Sequence, residues 1–119
     1  MTKKTTITRL YTGDDGQSHF EDIEIDMESN IVGHISKTYD ATGIVFRETS
    51  ESYDYDFHTA PARQYVVNLE GAVEITIGSG EKRIFDTGDV FICEDTTGQG
   101  HISRAVNGQV RRSLFVTLD

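Results

Sequence analysis

His58-Thr-Ala-Pro-Ala-Arg-Gln-Tyr-Val-Val-Asn-Leu-Glu-Gly71 sets a histidine beside a proline turn, runs into an apolar strand and closes on a glycine from which a second strand departs. Tyr65 to Leu69 reads as the first strand. Ala72 to Ile77 reads as the next, with Val73, Ile75 and Ile77 on one face. Gly78-Ser-Gly80 turns the chain into Glu81 to Phe85, so these segments are expected to form a meander. Asp86-Thr-Gly88-Asp89 then leads into Val90-Phe-Ile-Cys93, a short continuous apolar run of the kind buried on both sides. Past an irregular loop, Ile102 to Val106 and Val110 to Leu118 flank Asn107-Gly108, the two-residue signal for a type I′ hairpin.

Upstream of His58 the pattern continues. Thr5 to Tyr11 is rich in β-branched residues and is followed by Gly13-Asp14-Asp15-Gly16, so a first hairpin is expected. From Phe20 to Met27, Ile23, Ile25 and Met27 alternate with Asp22, Glu24 and Asp26, the mark of a strand with one wet face. Ile31 to Tyr39 reads as a weak edge strand or ordered loop, and Gly43 to Arg47 as a better strand. Tyr53-Asp54-Tyr55-Asp56-Phe57 alternates rings with carboxylates, which a strand separates onto opposite faces. No helical period is sustained anywhere, and no repeat, linker or low-complexity tract interrupts the chain. About ten short strands with close turns imply an all-β sandwich or closed barrel.

At 119 residues the chain is expected to be one domain with a single core. Eleven Lys and Arg against twenty Asp and Glu give a net charge of −9, which repels polyanions and argues against nucleic acid as a partner. The segment from Met1 to Leu10 has basic residues but no apolar signal core, and no stretch approaches the roughly eighteen apolar residues of a membrane span. A soluble, cytoplasmic protein is expected. The lone Cys93 agrees with a reducing compartment and reads as a buried small apolar residue.

The stretch from Ser52 to Gly71 resembles the first motif of the cupin family, G-x(5)-H-x-H-x(3,4)-E-x(6)-G. The closing glycine falls on Gly71, the glutamate on Gln64, the first histidine on His58, the second on Ala60 and the opening glycine on Ser52. A second motif, G-x(5)-P-x-G-x(2)-H-x(3)-N, is echoed by Gly88 to Cys93 and by His101. There Glu94 stands at the proline, the loop is two residues longer and Asn107 comes two positions late. Together the motifs span about residues 52–107. The resemblance implies a single cupin domain over residues 1–119, an all-β double-stranded β-helix or jelly-roll barrel, and a homodimer.

In that family two histidines and a glutamate hold a metal. The matching set here is His58, Gln64 and His101, which carries no negative charge. A divalent iron, manganese, nickel or zinc ion is therefore expected to bind weakly or not at all, unless Glu94 or Asp56 turns inward. The resemblance also places His58 and His101 face to face inside the barrel, where burial and a partner such as Glu94 shift their titration. Acid/base chemistry of the isomerase, epimerase or lyase kind follows, on a small polar or acidic molecule. A metal-dependent oxygenase and a non-catalytic ligand-binding cupin are the alternatives. Gln64 is expected to orient the substrate, Arg63 and Arg104 are candidate clamps for a carboxylate or phosphate, and Asn68 shares the inward face of Gln64.

Overall fold

The computed structural model describes residues 2–119 as strands joined by turns. In chain order they are β1 (Thr2–Thr12), β2 (Ser18–Asn30), β3 (Gly33–Ser36), β4 (Gly43–Thr49), β5 (Asp54–His58), β6 (Gln64–Glu70), β7 (Val73–Thr76), β8 (Lys82–Phe85), β9 (Val90–Cys93), β10 (His101–Ala105) and β11 (Arg111–Thr117). Seven form one sheet in the order β3-β2-β1-β9-β6-β11-β4, and four form a second in the order β5-β10-β7-β8. The buried cluster draws Leu10, Val66, Phe91 and Cys93 from the larger sheet and Val73, Ile75 and Phe85 from the smaller, so the two sheets face each other across one core. This is an all-β jelly roll. Phe85 stacks on Phe91 across it, with ring centroids 4.1 Å apart.

The expected first hairpin forms: β1 and β2 pair from Thr2 opposite Glu28 to Thr12 opposite Ser18. Its turn is closed by Gly13 N–H to the Gln17 carbonyl at 2.9 Å, and Gly16 takes a φ of 75° that glycine tolerates without strain. The weak segment after Ile31 becomes the short edge strand β3. Val90–Cys93 is the buried β9, held between β1 and β6.

Two expectations about pairing are corrected. The strands flanking Gly71 do not form a meander, because β6 lies in the larger sheet between β9 and β11 while β7 lies in the smaller beside β10 and β8. Only the β7–β8 part is a hairpin. Likewise Asn107-Gly108 does not join a hairpin. Its φ values of 55° and 63° are those a type I′ turn requires, and Gln109 N–H closes it on the Val106 carbonyl at 3.2 Å. Yet β10 pairs with β5 and β7, while β11 pairs with β4 and β6. The turn carries the chain across the edge of the sandwich from one sheet to the other. Local turn chemistry is the same in either case; the partner strands decide it.

Candidate functional site

A cavity of about 250 Å³ opens between the sheets. The smaller sheet contributes Tyr55, His58, His101, Ser103 and Ile75. The larger contributes Arg47, Gln64, Val66, Phe91, Cys93, Arg111 and Phe115. Its volume lies just below the usual range of about 300–1,000 Å³ for small-molecule pockets. Both sheets contribute apolar surface, and the polar groups divide between them, the histidines on the smaller sheet and the arginines with Gln64 on the larger.

The histidine wall owes its form to an irregularity. His101 pairs with His58 and Ser103 with Tyr55, so three steps along β5 match two along β10. Such a bulge breaks strict alternation and brings Tyr55 and His58 to the same face. Their rings stack at 3.8 Å, and His58 lies 4.6 Å from His101 between centroids. Gly100 makes this close approach feasible: at a φ of 79°, a Cβ there would overlap the His58 carbonyl.

Each imidazole is held through Nδ1. His58 Nδ1 lies 2.8 Å from the Asp56 carbonyl, which can only accept, so this nitrogen carries the proton and Nε2 is the bare base. His101 Nδ1 lies 2.6 Å from Asp95 Oδ2, and Ser18 donates its hydroxyl to the same oxygen at 2.6 Å. Asp95 is 0% exposed and His101 4%. Burial lowers the His58 pKa below its ordinary 6.5, the Asp56 hydrogen bond opposes this, and the nearby His101 adds to the lowering. Burial also pushes the Cys93 thiol far up, so this cavity residue is not a nucleophile.

The facing wall carries Arg111, 5% exposed, whose Nε is buried without a partner. Burial, reinforced by the Arg47 charge, lowers its pKa to about 10, which still leaves it charged at neutral pH. Arg47 lies over the rings of Phe115 and Tyr53, 4.8 and 5.7 Å from their centroids.

The expected residues are divided between inside and outside. His58, His101 and Gln64 meet at the cavity. Arg63, Arg104, Glu94 and Asn68 do not line it. Arg63 pairs with Glu94 and Asp119, and Arg104 pairs with Asp54 on the surface. Both arginines neighbour inward residues, Gln64 and Ser103, so alternation turns them out. Glu94 binds Arg9 and Arg63 outside. Burial works to raise the Glu94 pKa, but the two guanidinium hydrogen bonds outweigh it and hold the carboxyl below the usual range. The Asp56 carboxylate, the other inward candidate, accepts from the Phe57 N–H on an exposed bulge. Asn68 is fully buried and donates to the Phe85 carbonyl at 2.9 Å, tying the sheets together.

The residues missed from the sequence are Asp95, Arg111, Arg47 and Tyr55. Asp95 was within reach, since alternation carried past β9 turns Cys93 in, Glu94 out and Asp95 in. Arg111 was not, because the inward face of β11 carries Arg111, Ser113, Phe115 and Thr117 while Leu114 and Val116 lie opposite, so alternation points the more apolar face toward the core and the structure does the reverse.

The cupin resemblance implies a metal, and the donor set does not fit one. Gln64 offers a neutral amide in place of a carboxylate, and the buried Ala60 offers no donor. Among the described residues no group of three His, Cys, Asp or Glu side chains is placed to hold an ion. The unpaired Arg111 adds a positive charge that opposes a second cation in the same small space.

No protein-family model matches the chain, and no curated protein matches it. Solved structures resemble it in fold. A conserved protein of unknown function, SPY1581 from Streptococcus pyogenes, aligns with a TM-score of 0.51 at 20% identity, over 71% of this chain and 69% of its own. Protein NMB1881 from Neisseria meningitidis aligns with a TM-score of 0.50 at 17% identity, over 71% and 89%. The cupin domain of Schizosaccharomyces pombe Cnp3 aligns with a TM-score of 0.52 at 11% identity, over 99% and 84%. With two facing sheets and a cavity between them, and a cupin domain among its structural neighbours over nearly its whole length, the chain folds as a small cupin.

Proposed function

We propose that the cavity carries out acid/base chemistry on a small molecule, with His58 and His101 as the proton-transferring groups. The observation that supports this most directly is the orientation of both rings: each Nδ1 is engaged, by Asp56 O and Asp95 Oδ2, which leaves both Nε2 atoms free to exchange protons. Asp95 plays the part a carboxylate plays behind any catalytic imidazole, fixing the tautomer and stabilising the imidazolium once formed.

His58 Nε2 takes a proton from carbon, and the electron pair moves onto an adjacent carbonyl oxygen. The Gln64 amide N–H is suited to steady that oxygen as charge develops. His101, as imidazolium beside Asp95, returns a proton to a neighbouring carbon or to a leaving group, and the histidine pair then resets by proton exchange. Because β5 and β10 are adjacent strands, both bases face the ligand from one side, and a 4.6 Å ring separation leaves no room for a carbon between them. This favours a same-face proton shift or an elimination over two-base epimerisation, which requires groups on opposite faces of one carbon. The metal-dependent oxygenase is the weaker reading, given the neutral donor set.

The test is proton exchange. A panel of small carbonyl compounds and organic acids incubated in D2O is expected to include one whose C–H signal is lost by NMR with wild type and retained with His58→Ala and with His101→Ala. Saturable binding without exchange or conversion in any case would leave a binding protein and reject the enzyme.

The apolar edge of the larger sheet supports a homodimer as an accompanying proposal. On the edge strand β4, Ile44, Val45 and Phe46 are exposed, Phe46 at 78%. Light scattering of the purified protein decides between monomer and dimer.

A further inference from the structure

This protein has seven arginines, and carboxylates account for five of them. Arg9, Arg63, Arg83, Arg104 and Arg112 each lie within 4 Å of an Asp or Glu oxygen. Among the described residues the two without an acidic partner are Arg47 and Arg111, and both line the cavity. In a chain with twenty acidic residues and a net charge of −9, such a pair is not left over for want of carboxylates. Arg111 is also the more buried of the two, and its Nε has no hydrogen-bond acceptor at all. A buried, unpaired guanidinium lowers the stability of the empty protein, and its fork geometry matches a planar two-oxygen anion.

We propose that Arg111, assisted by Arg47, is the receptor for the carboxylate of the ligand, and that the cavity takes a small organic acid. The rest of the lining fits such a molecule. Val66, Ile75, Phe91 and Phe115 surround the space with apolar surface, so one end of the ligand is charged and the body is not. Inorganic phosphate fits less well, since it has no apolar part and would turn polar oxygens toward Val66, Ile75, Phe91 and Phe115. The arginines stand on the larger sheet and the histidines on the smaller, so a carboxylate anchored at Arg111 directs the body of the acid toward His58 and His101. The inference deepens the acid/base reading by naming its substrate class, but the anion site stands or falls independently of proton transfer.

The experiment measures binding, by calorimetry and thermal shift in phosphate-free buffer. The probes are small aliphatic and aromatic monocarboxylates from acetate to benzoate, with benzamide as a neutral control and inorganic phosphate as the rival anion. At least one carboxylate is expected to bind wild type and raise its melting temperature, and benzamide is not. Arg111→Met is expected to weaken that binding about ten- to hundredfold, as loss of a charge-assisted bidentate contact does, and Arg47→Gln to weaken it less. The ligand-free Arg111→Met protein is expected to melt at or above the wild-type temperature, because a buried charge without a partner has been removed. His58→Ala and His101→Ala are expected to keep carboxylate binding, which separates failure of the anion site from failure of the catalytic reading. Lack of binding by every carboxylate, binding of phosphate alone, equal binding by Arg111→Met, or unfolding of Arg111→Met together with undiminished binding by Arg47→Gln would each overturn the proposal.

Discussion

Asp95 Oδ2 lies 2.6 Å from His101 Nδ1 in the interior of the protein, and the Ser18 hydroxyl completes the contact at 2.6 Å on the same oxygen. This joins the loop before β10 to the start of β2 and fixes the plane of the imidazole. In Asp95→Asn an amide N–H can face Nδ1, which then becomes the bare nitrogen and moves the proton to Nε2. Nitrogen-detected NMR is expected to show this change of tautomer. Stability should fall by about 1–3 kcal/mol, and any histidine-dependent exchange by roughly a hundredfold or more.

His58 prefers its neutral form in the folded protein, since burial, opposed by the Asp56 carbonyl and aided by His101, lowers its pKa below 6.5. The sign follows from linkage. As pH falls, the unfolded chain takes up this proton first, so the stability His58 contributes is complete above 6.5 and lost as pH drops through the folded value. Chemical denaturation of wild type and His58→Gln between neutral and mildly acidic pH should show a shallower loss in the variant. The same lowering keeps His58 a competent base into weakly acidic solution, so the acid limb of a rate profile should lie below 6.5.

Gly100 permits β10 to approach the His58 backbone. Gly100→Ala places a methyl group against that carbonyl and strains a left-handed backbone at a φ of 79°. The backbone term alone is about 1–2 kcal/mol, and overlap with main chain adds to it. Thermal melting should show a marked loss of stability, and the ring contacts between His58, His101 and Tyr55 should loosen, visible as altered aromatic NMR shifts.

Gln64 is where the cupin metal site departs from its pattern in charge. Gln64→Glu supplies a carboxylate to the cavity that both free imidazole nitrogens line, so titration with zinc or nickel is expected to give tighter binding in the variant than in wild type, by about tenfold or more. Combining it with Arg111→Met should tighten binding further, because the opposing guanidinium is gone. Equal affinities across the three proteins would contradict the electrostatic account of this site.

The histidines were legible through the resemblance to the two cupin motifs, which implies that His58, Gln64 and His101 face inward. Alternation then turns Arg63, beside Gln64, outward. Asp95 obeys the same rule one residue beyond Glu94. Tyr55 does not, because its inward position beside His58 depends on a bulge defined only by pairing with β10. Arg63 and Arg104, the expected anion clamps, are flanked by inward residues and find carboxylates outside. Arg111 and Arg47 come together because β11 and β4 pair, with Ser113 opposite Arg47 and Arg111 opposite Thr49.

The amino-acid sequence by itself determined the strand segments and the turns, since period-two alternation and the backbone freedom of glycine and asparagine act within a few residues, while the two histidines stood out through the spacing of the cupin motifs they resemble. Tertiary structure decided which sheet each strand joins, and with it the meander that is absent, the Asn107-Gly108 turn that crosses between sheets, and the facing of an arginine wall against a histidine wall. The physical reason is that a turn sets only the local path of the backbone. Inter-strand hydrogen bonds and the burial of side chains against a second sheet are satisfied between residues far apart in the chain, and they place Arg111 in a cavity without a carboxylate of its own.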